Sequence, residues 1–246
     1  MQLTAEELQK NWDTIGKIVN KYISEPRRST VIQMLEDLSE FMVVAPASGR
    51  AHYHYAFPGG YNAHVINVVK AALKTKALWE EEGAIIDFTD EELIFSALFH
   101  DLGKIGDGTK EGYLQQKDKW RQDKLKEMYI PNPELPFMLI QDRSLYILQK
   151  YGITLTENEY LGIRLHDGVY DDANKAYYIS HSPDAKMRTN IVYILHQADF
   201  LAARVEYQEW VKATATAPQK VVKKNKNGKS IDVSASEGLM NMVKNL

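Results

Sequence analysis

The sequence predicts an all-α fold, and three observations carry that expectation. Apolar residues recur at helical spacing in one segment after another. The helix-start pattern Thr-x-x-Glu occurs at Thr4, Thr89 and Thr156, where a Thr hydroxyl can accept from the third amide and the Glu can reach back. No alternating apolar–polar stretch is long enough to make a core strand. With 246 residues, 44% of them hydrophobic and 26% charged, the chain has ample material for one large core. A formal net charge of -3 gives no global pull toward nucleic acid or acidic membranes, while leaving room for a local basic groove. The absence of cysteine excludes a disulfide framework and thiolate chemistry. Residues 1–7 lack the basic and apolar regions of a signal peptide, and no apolar run approaches the ~20 residues of a membrane span. The expectation is a soluble, cytoplasmic protein without a membrane partner.

The Thr4 box predicts a first helix to about Tyr22, broken by Pro26. Ser29 is placed to cap a second helix carrying Ile32, Leu35, Leu38 and Met42, closed by Pro46, Ser48 and Gly49. Pro58-Gly59-Gly60 marks a turn with unusual dihedrals or a close approach. A helix follows from near Asn62 to about Glu82, with His64, Val68, Ala71 and Leu78 on its apolar face. The Thr89 box opens a helix that is apolar on nearly all sides and therefore central, running to His100, with Gly103 ending it. Residues 107–126 are polar and read as a loop and then an exposed helix. Pro131, Pro133 and Pro136 preclude a helix in their segment. Helices over Phe137–Tyr151 and from Thr156 to His166-Asp167-Gly168 come next, and residues 168–184 read as loop. The last long helix spans about Ala185–Val211, with Ile191, Leu195, Ala198, Leu201, Ala202 and Val205 as its buried stripe. Five lysines within residues 220–229 mark a solvated linker or tail, followed by a short helix near Glu237–Lys244. The domain plan is thus an N-terminal helix packing on the core (1–28), a main helical domain (29–216) and a Lys-rich tail (217–246).

Polar exceptions on the apolar helix faces point to function. His64 lies on an apolar face in the first turn of its helix, and His100-Asp101 ends the buried central helix. Asp199 lies within or beside the stripe of the last one. Singly, each has an ordinary explanation as a hydrogen-bonded core histidine or a capping aspartate. Together they are three exceptions on three helices, all of metal-ligand type. Buried carboxylates need a cation, and two His with two Asp make a coherent site for one divalent ion.

The order His64 … His100-Asp101 … Asp199 resembles the HD-domain metal-dependent phosphohydrolase superfamily, whose signature is H…HD…D on a helical bundle. His100-Asp101-Leu102-Gly103-Lys104 is similar to the HD-x-GK form of that family, and Ala198-Asp199-Phe200-Leu201-Ala202 to its final Asp. His54-Tyr55-Ala56-Phe57-Pro58-Gly59-Gly60 before His64 resembles members that include 3′–5′ exoribonucleases. The resemblance covers roughly residues 30–210. It implies an HD-domain helical bundle binding one divalent metal (Mn, Mg, Co, Ni, Fe or Zn) through His64, His100, Asp101 and Asp199, with room for a second. It implies catalysis by Asp101 and Lys104, joined by His166 as an extra ligand or a phosphate contact. His181 and His196 lie in the same interval, His196 with a packing or positioning role and His181 as a loop histidine. Arg50, His52 and His54 are candidates for the pocket mouth, where substrate phosphate would bind. His166-Asp167 is a second HD dipeptide without the downstream Gly-Lys. The expected activity is hydrolysis of a phosphate ester of a small nucleotide. A 3′–5′ exonuclease or phosphodiesterase acting on RNA or DNA, and a catalytically silent nucleotide-binding module, remain open alternatives.

Overall fold

In the computed structural model, residues 2–179, 182, 184, 186, 187, 189–216, 221–224 and 230–233 are described. The chain divides into two compact units, Met1–Trp210 and Val211–Leu246. Helices dominate the first. In order they are α1 (Ala5–Tyr22), α2 (Arg27–Asp37), α3 (Ser39–Val44), α4 (Gly60–Glu81) and α5 (Asp90–Phe99). After a 3-10 turn at Leu102–Ile105 come β1 (Tyr113–Gln115), α6 (Lys119–Leu125), β2 (Tyr129–Pro131), α7 (Ile140–Lys150), α8 (Glu157–Leu165), α9 (Lys175–Tyr178) and α10 (Ile191–Thr216). The all-α expectation holds, and no helix is long and apolar enough to cross a membrane among the described residues.

All three Thr-x-x-Glu patterns form reciprocal caps, opening α1, α5 and α8. Each satisfies two orphan amides, worth about 1 kcal/mol of helix stability. Helix α5 is the hub. Every residue from Leu93 to Phe99 is buried, and α5 packs against α1, α4 and α8. Phe95 and Phe99 meet edge-to-face at 4.8 Å, and the Arg27 guanidinium sits 4.4 Å from the Phe95 ring centre. Each such buried apolar side chain contributes about 1.5–3 kcal/mol. This burial leaves α5 little freedom and aims its C-terminal end, His100-Asp101, into the interior.

Several expectations need correction. Pro26, not Ser29, is the N-cap of α2, with no side-chain cap. Ser29 instead bonds the Glu25 carboxylate through its amide and hydroxyl. Helix α7 begins at Ile140 rather than Phe137, because the Pro136 segment runs on extended as far as Leu139. Helix α10 begins at Ile191. Leu78, Leu201 and Val205 are exposed rather than buried. Short strands β1 and β2 pair antiparallel, Tyr113 opposite Pro131, where only loop was expected. Three residues per strand are too few to leave an alternating pattern in the sequence.

In the second unit, β3 (Val221–Lys224) pairs antiparallel with β4 (Ser230–Val233), so part of the expected solvated tail is a hairpin. The helix expected near Glu237–Lys244, and His181, lie outside the described residues.

Candidate metal centre

His64 enters the centre from the first turn of α4, and the preceding turn dictates where that helix starts. Gly59 has φ +80°, and a Cβ there would lie 2.1 Å from Leu8 Cδ2. A Cβ on Gly60 would lie 2.1 Å from the Tyr55 carbonyl oxygen. Only Gly-Gly threads this approach. His100 caps α5, and Asp101 opens the 3-10 turn behind it. That turn is tied to α7 by Ser144, whose hydroxyl accepts from the Gly103 amide at 2.8 Å and reaches the His100 carbonyl at 3.0 Å. His166 caps α8, and α10 brings Asp199.

These side chains converge. His64 Nε2 lies 3.1 Å from Asp199 Oδ1 and 3.7 Å from Asp101 Oδ2. His100 Nε2 is 3.3 Å from Asp101 Oδ2 and 3.9 Å from Asp199 Oδ1. His166 Nε2 is 3.6 Å from Asp101 Oδ1. Bonds of ~2.0–2.2 Å to one ion would place neighbouring ligand atoms ~3.0–3.4 Å apart and opposite ones ~4.2 Å apart. All five separations fall within or between those values, so the cluster is already sized for a cation.

The imidazole orientations make the same point independently. His100 Nδ1 donates to the Ala97 carbonyl at 2.9 Å, and His166 Nδ1 donates to the Ile163 carbonyl at 2.8 Å. His64 Nδ1 donates to Glu206, 3.0 Å from Oε2. Each ring commits Nδ1 outward and turns Nε2 toward the centre, and the imidazole without a proton on Nε2 is the tautomer a metal requires. Nε2 of His64 and of His100 is buried without a hydrogen-bond partner. Such an orphan costs about 1–3 kcal/mol, and two side by side mark a place built for something that accepts lone pairs. The residues present fit a divalent ion.

Charge is balanced internally. Burial opposes a charge on His64, but Glu206 and Asp199 outweigh it and lift its pKa to about 10. His166 rises to about 9, against burial, through Asp167, Asp101 and Asp199. Burial would raise Asp101, yet Lys104, His100 and His166 hold it well below the usual carboxylate range. Asp199 is likewise depressed, chiefly by His64 overriding burial. Lys104 donates to Asp101 Oδ2, and Asp101 raises its pKa against burial. The two carboxylates therefore stay ionised, and the two histidines hold protons that an incoming cation displaces.

Of the candidates read from sequence, His64, His100, Asp101, Asp199, Lys104 and His166 come together. His54 joins them: its ring stands 4.6 Å from that of His64, and its Nε2 is shielded and unpartnered. Burial, Lys104 and His64 push the His54 pKa well below its ordinary value, so this imidazole is neutral. Arg50 and His52 do not join. Arg50 pairs its backbone with Glu127 and packs over Tyr53, which also holds His52 edge-on. His196 donates from Nδ1 to the His166 carbonyl at 2.7 Å, a positioning role. Asp167 lies 3.6 Å from His166 Nε2 and is half-exposed.

Sequence reading missed Glu206 and Asn67. Glu206 is 1% exposed and accepts from both His64 Nδ1 and Asn67 Nδ2, the latter at 3.0 Å. Its signal was present: Leu195, Asp199, Ala202 and Glu206 follow i, i+4, i+7, i+11 on one helix face. No family model, curated protein or solved structure matches this chain.

Proposed function

We propose that this chain is a metal-dependent phosphohydrolase of the HD-domain type, cleaving a phosphate ester of a nucleotide. The observation that carries the reading is the set of three imidazoles, each committed outward through Nδ1 and aimed inward through Nε2 at two ionised carboxylates. His64, His100, Asp101 and Asp199 would hold the ion, with His166 as a fifth ligand or a phosphate contact. A divalent cation bound there supplies a Lewis acid that lowers the pKa of a water from ~16 toward ~7.

The protein's own groups supply the rest. Asp101 stays ionised and can accept a proton from the attacking water while orienting it. Lys104, beside Asp101, can donate to a phosphoryl oxygen as negative charge develops on it. Glu206 fixes the His64 ring and its tautomer. Neutral His54 packs its ring 4.6 Å from that of His64 without adding charge to the centre. Burial of the cluster keeps bulk water from screening these interactions.

The test is chromatographic product analysis after incubating metal-loaded protein with nucleoside mono- and triphosphates, cyclic nucleotides and short oligonucleotides, with Asp101→Ala as control. Nucleoside or phosphate released from monomers, and absent with the variant, supports the proposal. Stepwise shortening of oligomers transfers the activity to the diester class. Activity unchanged in Asp101→Ala would sink the assignment.

A further inference from the structure

A cavity of about 460 Å³ is lined at one point by Lys104 and by none of the side chains of the metal centre. Tyr113, Pro131, Pro133, Pro136 and Phe137 line it, and Phe137 is 92% exposed. Its volume falls in the ~300–1,000 Å³ range of small-molecule sites. At its wall stands Arg143, from the first turn of α7 and only 7% exposed.

Arg143 is anomalous. A buried guanidinium is ordinarily paired with a carboxylate, and this one has no ion pair among the described residues. Asp107 feels its charge but lies beyond ion-pair distance. One donor is committed, from Nη2 to the Pro136 carbonyl at 2.6 Å, which fixes the proline wall. Among the described residues Nε, Nη1 and the second N–H of Nη2 have no hydrogen-bond partner, so one edge of the guanidinium keeps a pair of adjacent donors that includes Nη2, and Arg143 lines the cavity. A planar fork with free donors therefore faces a space walled by rigid prolines and aromatic rings.

We infer that this cavity is a nucleobase site in which Arg143 reads a purine through two adjacent acceptors, the O6 and N7 of a guanine-type base. The inference rests on the phosphohydrolase reading for the placement of phosphate at the Lys104 end. The walls offer stacking surface, which suits a flat π-system and is of no use to a phosphate. The guanidinium fork matches O6/N7, whereas adenine presents a donor at N6 beside N7 and is repelled. A fork that reads only O6 and N7 does not distinguish GMP from IMP, which differ at position 2.

The experiment is equilibrium binding of GMP, IMP, AMP and 7-deaza-GMP to the full chain, without metal, by calorimetry. The same nucleotides are then followed for turnover by the metal-loaded protein. GMP and IMP should bind alike, and about 10–100-fold more tightly than AMP or 7-deaza-GMP. Arg143→Met should erase the preference, with circular dichroism confirming retained helix content, and Arg143→Lys should keep part of it. Equal binding of AMP and GMP overturns the inference, as does a preference that survives in Arg143→Met or an absence of any nucleotide binding. Pyrophosphate binding that depends on Arg143 as strongly as GMP binding also overturns it, making the site one for a second phosphate. Turnover of all four nucleotides at equal kcat/KM leaves the phosphohydrolase reading standing and removes this one. A preference for GMP and IMP over AMP and 7-deaza-GMP without turnover supports this inference and removes the phosphohydrolase reading.

Discussion

Loading the centre with a divalent ion at neutral pH should release two protons, one from His64 and one from His166. Their pKa values of about 10 and about 9 mean that both imidazoles are charged at pH 7 in protein prepared without metal. A ligand nitrogen must be deprotonated to bind. Asp101 and Asp199 are depressed and release none. Each displaced proton makes apparent affinity rise about tenfold per pH unit below the pKa of its group. Between pH 7 and 8.5 the affinity for Mn²⁺ should therefore climb about a thousandfold. It should rise more slowly between pH 9 and 10 and level off above that. Calorimetry in buffers of different ionisation enthalpy counts the protons directly. Release of less than one proton at pH 7, or an affinity flat with pH, would refute the charge assignment of the centre.

Four further outcomes follow from the same contacts. Glu206→Gln removes the carboxylate that holds the His64 proton, so the count on metal binding should fall toward one; an unchanged count would deny Glu206 that role. Lys104→Met should lower single-turnover phosphate release about 10²–10³-fold with helix content intact, the scale of losing one donor to developing charge. Arg27→Met strips the buried Glu159 of the guanidinium 2.7 Å away and should cost about 3 kcal/mol, lowering Tm by roughly 10 °C. Adding Glu159→Leu should recover much of that loss, and no recovery would mean that Arg27 acts through its other partners, Glu91 and the Phe95 ring. Gly103→Ala places a Cβ 2.2 Å from the Ile140 carbonyl oxygen, so thermal melting should show a loss of about 1–3 kcal/mol together with weaker Mn²⁺ binding.

The helices and the converging His/Asp cluster were legible in the sequence for a common reason. Capping boxes and apolar periodicity are local signals, and His64, His100, Asp101 and Asp199 stood out as polar breaks in that periodicity. The rest depended on tertiary geometry. The stripe of α10 was drawn through Leu201, Ala202 and Val205, but the buried face keeps Ala202, leaves Leu201 and Val205 exposed and continues to Glu206. Both sets fit helical spacing, and only the position of His64 across the interface decides between them. Arg50 and His52 sat beside His54 in sequence, yet the loop turns His54 alone toward His64. Arg143 carries no sequence signal beyond a charged residue on a helix. Its meaning comes from the Pro131–Pro136 wall that buries it. The β1–β2 pair was hidden because its strands are short and half-exposed, so neither face imposes an apolar pattern.

The measurement that bears most directly on the centre is anomalous diffraction at the manganese edge from crystals grown with Mn²⁺. A single strong peak within ~2.0–2.3 Å of His64 Nε2, His100 Nε2, His166 Nε2 and carboxylate oxygens of Asp101 and Asp199 is the expected result. A fully loaded crystal whose peaks lie only at surface carboxylates would contradict the proposed metal centre and the chemistry built on it.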